Sequence, residues 1–402
     1  MNKDTDRIVI IGAGQAGATV AFGLRRGGFQ AEVTLIGEES HLPYERPQLS
    51  KEMLQAEQGV VRLFKSMDEF EANGIQLHLG RKVVKVDAKA RRILLDDGRQ
   101  LDFGRLVIAT GVRPRQLPAA SFDPARVHYL RTAQDAESLR VDLLAKKPIA
   151  IVGGGVIGLE VAAAARKIGC RVVVIEASDR LMSRSVDSTV SEYLDRTHRE
   201  NGVDIRYGVH VTELLSDGHL RLSDGSTVAA ESLVVGIGVT PNLEGLEELG
   251  ITDDAGVRVD AAGETSLDGI FATGDVASQP GSAGFGRIET WANAQDHALN
   301  LVKNLLGQRA SYDSPVWFWS DQGHINLQVV GDATRGRRII RGDESSDQFS
   351  IFWLDERDRV RGCSCVNSPK DMAVARRWVK QSSRVDANKL ADSECPLRDC
   401  AI

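Results

Sequence analysis

The chain has 402 residues, of which 42% are hydrophobic and 26% are charged, a balance that is ordinary for a soluble globular protein. This length is enough for two or three domains with substantial cores. The formal net charge of -6 argues against a general nucleic-acid binder, because a basic footprint would show in the total. Glu160 interrupts the best apolar run of about 18 residues, so we expect no membrane span and a cytoplasmic protein.

The first predicted elements are a strand, a tight turn and a helix at "IVIIGAGQAG", residues 8–17. The β-branched start favours a strand, and Gly12, Gly14 and Gly17 follow in the pattern G-x-G-x-x-G. A second apolar strand, "EVTLIGEE", places Glu38 21 residues after Gly17. In this βαβ context the pattern indicates a dinucleotide site, with the pyrophosphate at the helix N-terminus and the ribose hydroxyls on the acid.

The same arrangement recurs at "IVGGGVIGLE", residues 151–160. Gly153, Gly155 and Gly158 form the second glycine pattern, and a helix-compatible stretch, "VIGLEVAAAARKIG", follows. Glu176 stands 18 residues after Gly158, at the end of the strand "RVVVIEAS". Two complete units in one chain are much less expected by chance than one, so the sequence predicts two bound dinucleotides.

The two predicted dinucleotides differ in identity. Glu176 has no Arg or Lys directly after it, so it should repel a 2′-phosphate and favour NADH over NADPH. Arg180, four residues further on, makes this a preference rather than a strict choice. The other dinucleotide is most simply FAD, because a hydride from NADH needs an acceptor in the same protein.

Strand-to-glycine junctions follow each unit. "LVIATGVRPR" (106–115) and "LVVGIGVTPN" (233–242) suit crossing points between domains. "GIFATGDVA" (269–277) ends a strand at Gly274 and Asp275, where a carboxylate and backbone amides could bind a polyol or a phosphate. Each segment alone would more often be a plain strand-to-loop junction, and only their order along the chain favours the functional interpretation.

Six segments carry a resemblance to a known family: "PYERPQLSK" (43–51), "YLRTAQDA" (129–136), "GGGVIGLEVAAAARK" (153–167), "RLMSR" (180–184), "RIETWANAQ" (287–295) and "WFWSDQ" (317–322). The sequence resembles the FAD- and NADH-dependent ferredoxin reductases of bacterial oxygenase systems, including those that serve aromatic-ring dioxygenases. The resemblance covers nearly the whole chain, and "YERPxLSK" is more specific than either glycine pattern.

The resemblance implies an α/β, glutathione-reductase-like fold with two Rossmann-like dinucleotide-binding domains and a C-terminal α+β domain. The FAD-binding domain would comprise residues 1–113 and 242–317. The NADH-binding domain would comprise residues 114–241, and the C-terminal domain residues 318–402.

The resemblance also implies the site residues. Those expected to contact FAD are Gly12, Gly14, Ala16, Gly17, Glu38, Arg46, Lys51, Val83, Arg131, Asp275 and Trp291. Those expected to contact NADH are Gly153, Gly155, Val156, Ile157, Gly158, Glu160, Glu176 and Gly238. Lys51 would lie nearest flavin N5 and stabilise the anionic reduced flavin. Glu160 would reach the nicotinamide carboxamide, although a carboxylate at a helix N-terminus is also stabilised by the helix dipole alone.

Trp317 and Trp319 alternate on a predicted strand, so their side chains should lie on one face. Such a pair is usually core packing, and this alternative stays open. The resemblance places the segment beside the flavin, where Trp319 would contact nicotinamide or lie on the electron path.

Cysteine positions argue against a thiol relay, because no cysteine precedes Cys170. Disulfide reductases and peroxidases of similar architecture carry their reactive cysteines in the first domain. Cys363 and Cys365 fall in a predicted strand, where packing is the expected role. With Cys395 and Cys400 the total is five, without a C-x-x-C pair or a histidine cluster, so we expect neither a disulfide framework nor a metal site.

The expected activity is therefore transfer of hydride from NADH to FAD, then of single electrons to a [2Fe-2S] ferredoxin that feeds a Rieske-type dioxygenase or a cytochrome P450. Two alternatives remain: an NADH oxidase or quinone-type reductase, and a flavin-binding protein of the apoptosis-inducing-factor type. An acidic ferredoxin would need a local basic patch. The candidate bases are Arg184, Arg287, Arg335, Arg337 and Arg338.

Overall fold

The computed structural model describes residues 6–56, 58–118, 122–215, 218–281 and 284–402. Its helices are α1 (Gln15–Arg26), α2 (Glu52–Gln55), α3 (Met67–Ala72), α4 (Ala133–Leu144), α5 (Val156–Ile168), α6 (Ser188–Glu200), α7 (Trp291–Leu305), α8 (Pro369–Gln381) and α9 (Ala387–Ala391).

The strands up to the second glycine pattern are β1 (Ile8–Ile11), β2 (Val33–Gly37), β3 (Ile75–Leu79), β4 (Val83–Asp87), β5 (Arg92–Leu95), β6 (Gln100–Asp102), β7 (Arg105–Ile108), β8 (Val112–Pro114), β9 (Val127–His128) and β10 (Ile149–Val152). The next are β11 (Val172–Glu176), β12 (Val203–Tyr207), β13 (Val211–Leu214), β14 (His219–Leu222), β15 (Thr227–Ala229), β16 (Ser232–Val235), β17 (Val239–Pro241), β18 (Thr252–Asp253) and β19 (Gly256–Arg258). The last are β20 (Ile270–Ala272), β21 (Ala277–Gly281), β22 (Gly284–Gly286), β23 (Trp317–Gln322), β24 (Ile325–Gly331), β25 (Arg337–Gly342), β26 (Phe349–Leu354) and β27 (Val360–Val366).

The first of two units comprises the residues up to 46, 61–113 and 239–314. Its main sheet is parallel, in the order β20-β7-β1-β2-β3, and Ile8 lies opposite both Val33 and Arg105. Every residue of β1 is buried, as expected for a parallel strand covered on both faces. Ile8 and Ile10 face a core shared with α1 and α7, whereas Val9 and Ile11 face a core shared with β4 and β5.

The second unit comprises residues 47–60, 114–238 and 315–402. Its parallel sheet has the order β12-β11-β10-β16-β9, so β10 takes the central place that β1 takes in the first unit. The C-terminal part is an antiparallel sheet, β23-β24-β27-β26-β25. Phe352, Cys363 and Trp378 pack in the core between this sheet and α8.

Two parallel sheets and a C-terminal sheet with helices confirm the predicted fold class. The predicted domain boundaries stay predictions. Residues 47–60, which the sequence analysis assigns to the first domain, group with the second unit. Among the described residues, no helix is both long enough and apolar enough to span a bilayer.

Candidate active site

The first glycine of each pattern is required by its backbone conformation. Gly12 has a φ of 109° and Gly153 a φ of 105°, a region that side chains other than glycine rarely enter. A Cβ atom on Gly12 would collide with the carbonyl of Ala109, just after β7, and one on Gly153 with that of Gly236, just after β16. The two segments predicted to cross between domains, 106–115 and 233–242, therefore also supply the carbonyl groups that pack against the first glycine of each turn.

The second and third glycines have different reasons. A Cβ on Gly17 or Gly158 would collide with the carbonyl of the first glycine in its own turn, so these positions allow close packing of helix on strand. A Cβ on Gly14 or Gly155 would meet no atom within 4 Å. These two residues precede the first turns of α1 and α5, whose N–H groups point toward this open side. Both turns therefore fit a pyrophosphate.

Glu176 is tied to the glycine turn of the second unit. Its carboxylate accepts hydrogen bonds from the backbone N–H of Gly154, at 2.6 Å, and of Ser178, at 2.7 Å. The acid predicted from its spacing thus lies at the turn, where it can meet a ribose.

Arg180 is occupied elsewhere. Its guanidinium donates to the carbonyl oxygens of Val186 and Ser183 and to Oγ of Ser191, each at 2.8 Å. These contacts hold the side chain within its own loop, so Arg180 is a poor candidate for binding a 2′-phosphate.

In the first unit, two consecutive acids follow β2. Glu38 is 72% exposed and lies 3.7 Å from Nζ of Lys82. Glu39 instead accepts hydrogen bonds from Tyr44 Oη and from Arg46, both at 2.6 Å. The role of Glu38 toward a ribose stays a prediction, and Glu39 is the acid that the spacing rule did not select.

Asp275 is placed by close packing around Gly274. Gly274 has a φ of 73°, and a Cβ there would lie 2.8 Å from Cβ of Ala16 and 3.9 Å from Cα of Ala294. The start of α1, the Gly274–Asp275 turn and the start of α7, where Trp291 is the first residue, are therefore neighbours. This is the arrangement that the FAD prediction for Ala16, Asp275 and Trp291 requires.

The remaining predicted residues are more scattered. Val83 is buried in β4 of the first unit. Arg131 belongs to the second unit and donates its backbone N–H to Asp135 at 3.0 Å. Val156 and Ile157 form the first turn of α5, and Gly238 has a φ of 103°. Their contacts with cofactors stay predictions.

Lys51 and Glu160 form an ion pair inside the second unit, with Nζ 3.4 Å from Oε1. The lysine side chain is 14% exposed and the glutamate side chain 3%. Lys51 also lies 3.5 Å from Oδ2 of Asp321, which is more exposed. Two residues predicted for different cofactors are therefore in direct contact.

Further donors converge on the Glu160 carboxylate. Ser50 Oγ donates to Oε2, and Ser320 Oγ donates to Oε1 at 2.8 Å. The backbone N–H of Asp321 donates to Oε1 at 3.2 Å. Burial raises the pKa of Glu160 above its ordinary value, and Lys51 and the hydrogen bonds oppose this shift without cancelling it.

The tryptophan pair lies as the alternation predicts. The rings of Trp317 and Trp319 stack with centroids 5.3 Å apart and an angle of 25°. Nζ of Lys51 lies 5.5 Å from the Trp319 ring, and the guanidinium of Arg376 lies 4.1 Å from the Trp317 ring. Trp319 thus borders the ion pair, which core packing alone would not require.

The sequence analysis did not select Ser50, Ser320, or the two residues that continue the hydrogen bonds from Ser320, which are Gln322 and His198. Ser50 directly precedes Lys51, and Ser320 lies between Trp319 and Asp321, so both belong to segments that carry the family resemblance. Their signal was weak because a serine in a strand or loop has many uses, and only the fold brings these two to one carboxylate.

All five cysteines are free thiols. Cys170 is buried and donates to the carbonyl of Leu143, 3.3 Å away. Cys363 and Cys365 are buried in the core beneath α8, which confirms a packing role. Among the described residues, no cluster of three or more His, Cys, Asp or Glu side chains is arranged to hold a metal ion.

Several of the bases considered for a partner patch are already paired. Arg287 donates to Glu289 at 2.9 Å, and Arg338 lies 3.2 Å from Asp187. Arg337 pairs with Asp358. Arg184 and Arg335 are exposed.

Helix α8 presents a set of exposed bases that the sequence analysis did not consider: Lys370, Arg376, Arg377 and Lys380.

Comparison with known proteins places this architecture. Residues 6–298 match the pyridine nucleotide-disulphide oxidoreductase family, and residues 317–401 match the reductase C-terminal family. The chain is 69% identical over 402 residues to the ferredoxin–NAD(+) reductase component of the p-cumate 2,3-dioxygenase system of Pseudomonas putida, with 100% of both chains covered. The chain belongs to the ferredoxin reductases of this oxidoreductase family.

Solved ferredoxin reductases share the fold. The ferredoxin reductase for the CYP199A2 system from Rhodopseudomonas palustris is 36% identical, with a TM-score of 0.93 over 98% of this chain and 99% of that chain. The covalent putidaredoxin reductase–putidaredoxin complex is 35% identical, with a TM-score of 0.92 over 98% and 97%. The resemblance drawn from the sequence is thereby confirmed, and membership of this family of ferredoxin reductases implies a flavin and NAD(H).

Proposed function

We propose that the protein is an NADH:ferredoxin reductase with FAD as its flavin. When bound, FAD accepts a hydride from NADH and releases electrons one at a time. The acceptor is a [2Fe-2S] ferredoxin that supplies a ring-hydroxylating dioxygenase, since the relative with 69% identity serves a dioxygenase system. The observation that carries the proposal is that each unit holds one complete glycine turn of the same geometry.

The residues available to hold FAD lie mainly in the first unit. Gly14 and the start of α1 would bind the pyrophosphate, and Asp275 would bind the ribityl or phosphate oxygens. Trp291, Ala16 and Arg46 border the same elements. Gly12, Gly17, Glu38, Val83 and Arg131 complete the proposed set.

NADH is assigned to the second unit. Gly155 and the start of α5 would bind its pyrophosphate, and Glu176 its adenosine ribose. Gly153, Val156, Ile157, Gly158 and Gly238 complete this proposed set. NADH rather than NADPH is named because the Glu176 carboxylate would repel a 2′-phosphate, and because Arg180, the nearby base, is held within its own loop.

Lys51, Glu160 and Trp319 are the proposed catalytic residues. The Glu160 carboxylate accepts a hydrogen bond from the nicotinamide carboxamide and so fixes the ring that carries the hydride. The Lys51 ammonium offsets negative charge that develops at the flavin. Trp319, whose ring lies 5.5 Å from Nζ of Lys51, would contact the nicotinamide or lie on the electron path.

The partner surface is assigned to α8. Four exposed bases on this helix, one of them stacked on Trp317, suit an acidic ferredoxin. The only acid of α8, Asp371, is half-buried and lies 3.6 Å from Arg341. We assign the protein to the cytoplasm, where NADH is available.

The test is reduction of the FAD-reconstituted protein by NADH under anaerobic conditions. We expect rapid bleaching of the flavin absorbance, then fast reoxidation only when a [2Fe-2S] ferredoxin is added. In a separate aerobic assay, fast oxygen consumption without ferredoxin would instead identify an NADH oxidase. Slow bleaching with a long-lived charge-transfer band would identify a flavin-binding protein of the apoptosis-inducing-factor type.

A further inference from the structure

A line of buried polar side chains leads away from Glu160. Ser320 donates to Glu160 at 2.8 Å, and Nε2 of Gln322 donates to Oγ of Ser320 at 3.0 Å. Oε1 of Gln322 lies 2.8 Å from Nε2 of His198. Ser320, Gln322 and His198 are 0%, 2% and 3% exposed. Burying three polar side chains is costly unless they satisfy one another, and these three do so in a line that ends on the Glu160 carboxylate.

The line has a direction. A glutamine carbonyl oxygen only accepts, so His198 must donate through an Nε2–H group. This contact places the amide nitrogen of Gln322 on the Ser320 side, where it can only donate. The hydroxyl proton of Ser320 is then left for Glu160. Each hydrogen bond therefore fixes the next, and the line ends on a carboxylate that only accepts.

We propose that Gln322 and His198 are positioning residues that act through Ser320 to hold the Glu160 carboxylate beside Lys51. Ser320 engages Oε1 while Ser50 engages Oε2, so the carboxylate plane is held from both sides. The inference rests on the proposed function in one respect, which is that Glu160 binds the nicotinamide.

The charged surroundings of the line are few among the described residues. Glu160 faces Lys51, which in turn faces Asp321. His198 lies within electrostatic reach of Asp195 on its own helix and of His324 beyond β23. Burial lowers the pKa of His198 and so favours the neutral ring, whose Nε2–H tautomer is the donor in this line.

The test uses the holoenzyme with Ser320→Ala, Gln322→Met and both changes together. Anaerobic stopped-flow measurement of flavin reduction by NADH gives a limiting rate and its pH profile. Titration calorimetry with NAD+ gives an affinity that does not depend on turnover. Ser364→Ala is the matched control, because Ser364 is a buried serine of the same sheet whose hydroxyl has no hydrogen-bond partner in the described structure.

We expect each single change to slow flavin reduction about tenfold, the size of one lost hydrogen bond in a transition state. The acid limb of the pH profile should move to higher pH, because Ser320 is either removed or no longer oriented to donate to Glu160, and its donation favours the ionised form. The double variant should be no slower than Ser320→Ala alone, since Gln322 acts through Ser320. NAD+ affinity should fall in the same variants, and Ser364→Ala should match the wild type.

Gln322→Glu covers the case in which the methionine variant fails to fold, because it keeps the volume of the side chain. A carboxylate at this position only accepts, so Ser320 would turn its proton away from Glu160, and the same loss is expected. Wild-type rate and NAD+ affinity in Gln322→Met or Gln322→Glu would overturn the inference. Multiplying losses in the double variant would also overturn it. Failure of the wild type itself to oxidise NADH would instead overturn the proposed function.

Discussion

Burial and neighbouring groups shift the pKa of Glu160 in opposite directions. It is 3% exposed as a side chain, and the loss of water outweighs the ammonium of Lys51 and the hydroxyl of Ser50 in setting the direction of its pKa shift. The carboxylate is therefore held in place at a cost to the folded state. Such a cost is typical of residues kept for chemistry rather than for stability.

This cost predicts a pH-dependent effect of Glu160→Gln. Burial raises the pKa of Glu160 in the folded protein. As the pH rises past the ordinary pKa of a glutamate, the unfolded chain therefore loses the carboxyl proton before the folded protein does. The free energy of unfolding of the wild type should therefore fall relative to the variant as the pH rises through that window. Urea unfolding of both proteins at a series of pH values measures the difference. A difference that is flat or grows in favour of the wild type would contradict the prediction.

Glu176 is expected to govern the choice of nicotinamide. Glu176→Gln removes the charge that repels a 2′-phosphate but keeps an oxygen for the N–H of Gly154. We expect the preference for NADH over NADPH, measured as the ratio of kcat/KM values, to fall about tenfold. Arg180→Met should leave that ratio unchanged and lower the melting temperature, because its contacts with Val186 and Ser191 are structural. A changed ratio in Arg180→Met would mean that Arg180 contacts the cofactor.

At this scale the sequence predicted Lys51 and Glu160 but not their contact. The motif spacing identifies residue types along the chain, and the two positions are 109 residues apart in the sequence. The contact depends on residues 47–60 joining the second unit, which local patterns do not encode. Gln322 belongs to a segment that carries the family resemblance, yet its proposed role depends on His198 of α6, which lies far away in the sequence.

The helices that begin at the glycine turns show how one pattern serves two needs. In each turn, one glycine is small so that the helix can pack on the strand, and another is small so that an outside group can approach. These two needs can be separated by mutation. A side chain at the packing glycine, Gly17 or Gly158, would meet protein atoms, whereas one at Gly14 or Gly155 would meet open space.

For α5 this predicts different results from two similar changes. Gly158→Ala places a methyl group against the carbonyl of Gly153, and we expect a loss of about 1–3 kcal/mol in the free energy of unfolding. Gly155→Ala meets no protein atom within 4 Å, so stability should hold while the dissociation constant for NADH rises about tenfold. Urea unfolding and titration calorimetry separate the two effects. Equal destabilisation by both changes would contradict this account.

The sheets were the most predictable elements. Strands β1 and β10 are uniformly buried runs of β-branched and small residues, and a parallel sheet covered on both faces favours such runs. The C-terminal sheet was predicted as a class but not strand by strand, because antiparallel pairings depend on distant segments. Its strand β23 supplies both Trp319 and Ser320, on opposite faces, to one ion pair.

At the scale of the whole molecule, the net charge and the proposed choice of partner are opposed. The chain carries a formal charge of -6, yet its proposed partner is acidic. The exposed bases of α8 can still attract an acidic partner locally. Screening by salt limits the range over which exposed charges act to about 10 Å, so distant acids have little effect there.

Reversal of one of these charges tests the surface. Arg377→Glu should raise the KM for ferredoxin about tenfold at low ionic strength. The difference from the wild type should shrink in about 0.5 M salt, because counterions then screen the attraction between exposed charges. Reduction of ferricyanide by NADH should persist. Arg206→Glu, an equal change of charge on β12 of the second unit, is the control. A parallel fall in both activities, or an equal effect of the control, would contradict the assignment.

The first unit draws its sheet and helices from segments that the second unit separates along the chain. Helix α1 packs against α7, which begins at Trp291, so the apolar side of α1 has no native cover when it leaves the ribosome. At about 5–20 residues per second, synthesis of the intervening chain takes on the order of ten to fifty seconds. During that interval the side of α1 at Gly23, where a Cβ would lie 2.7 Å from Cγ2 of Val302 in α7, lacks its native cover, and we expect a chaperone to bind the nascent protein there.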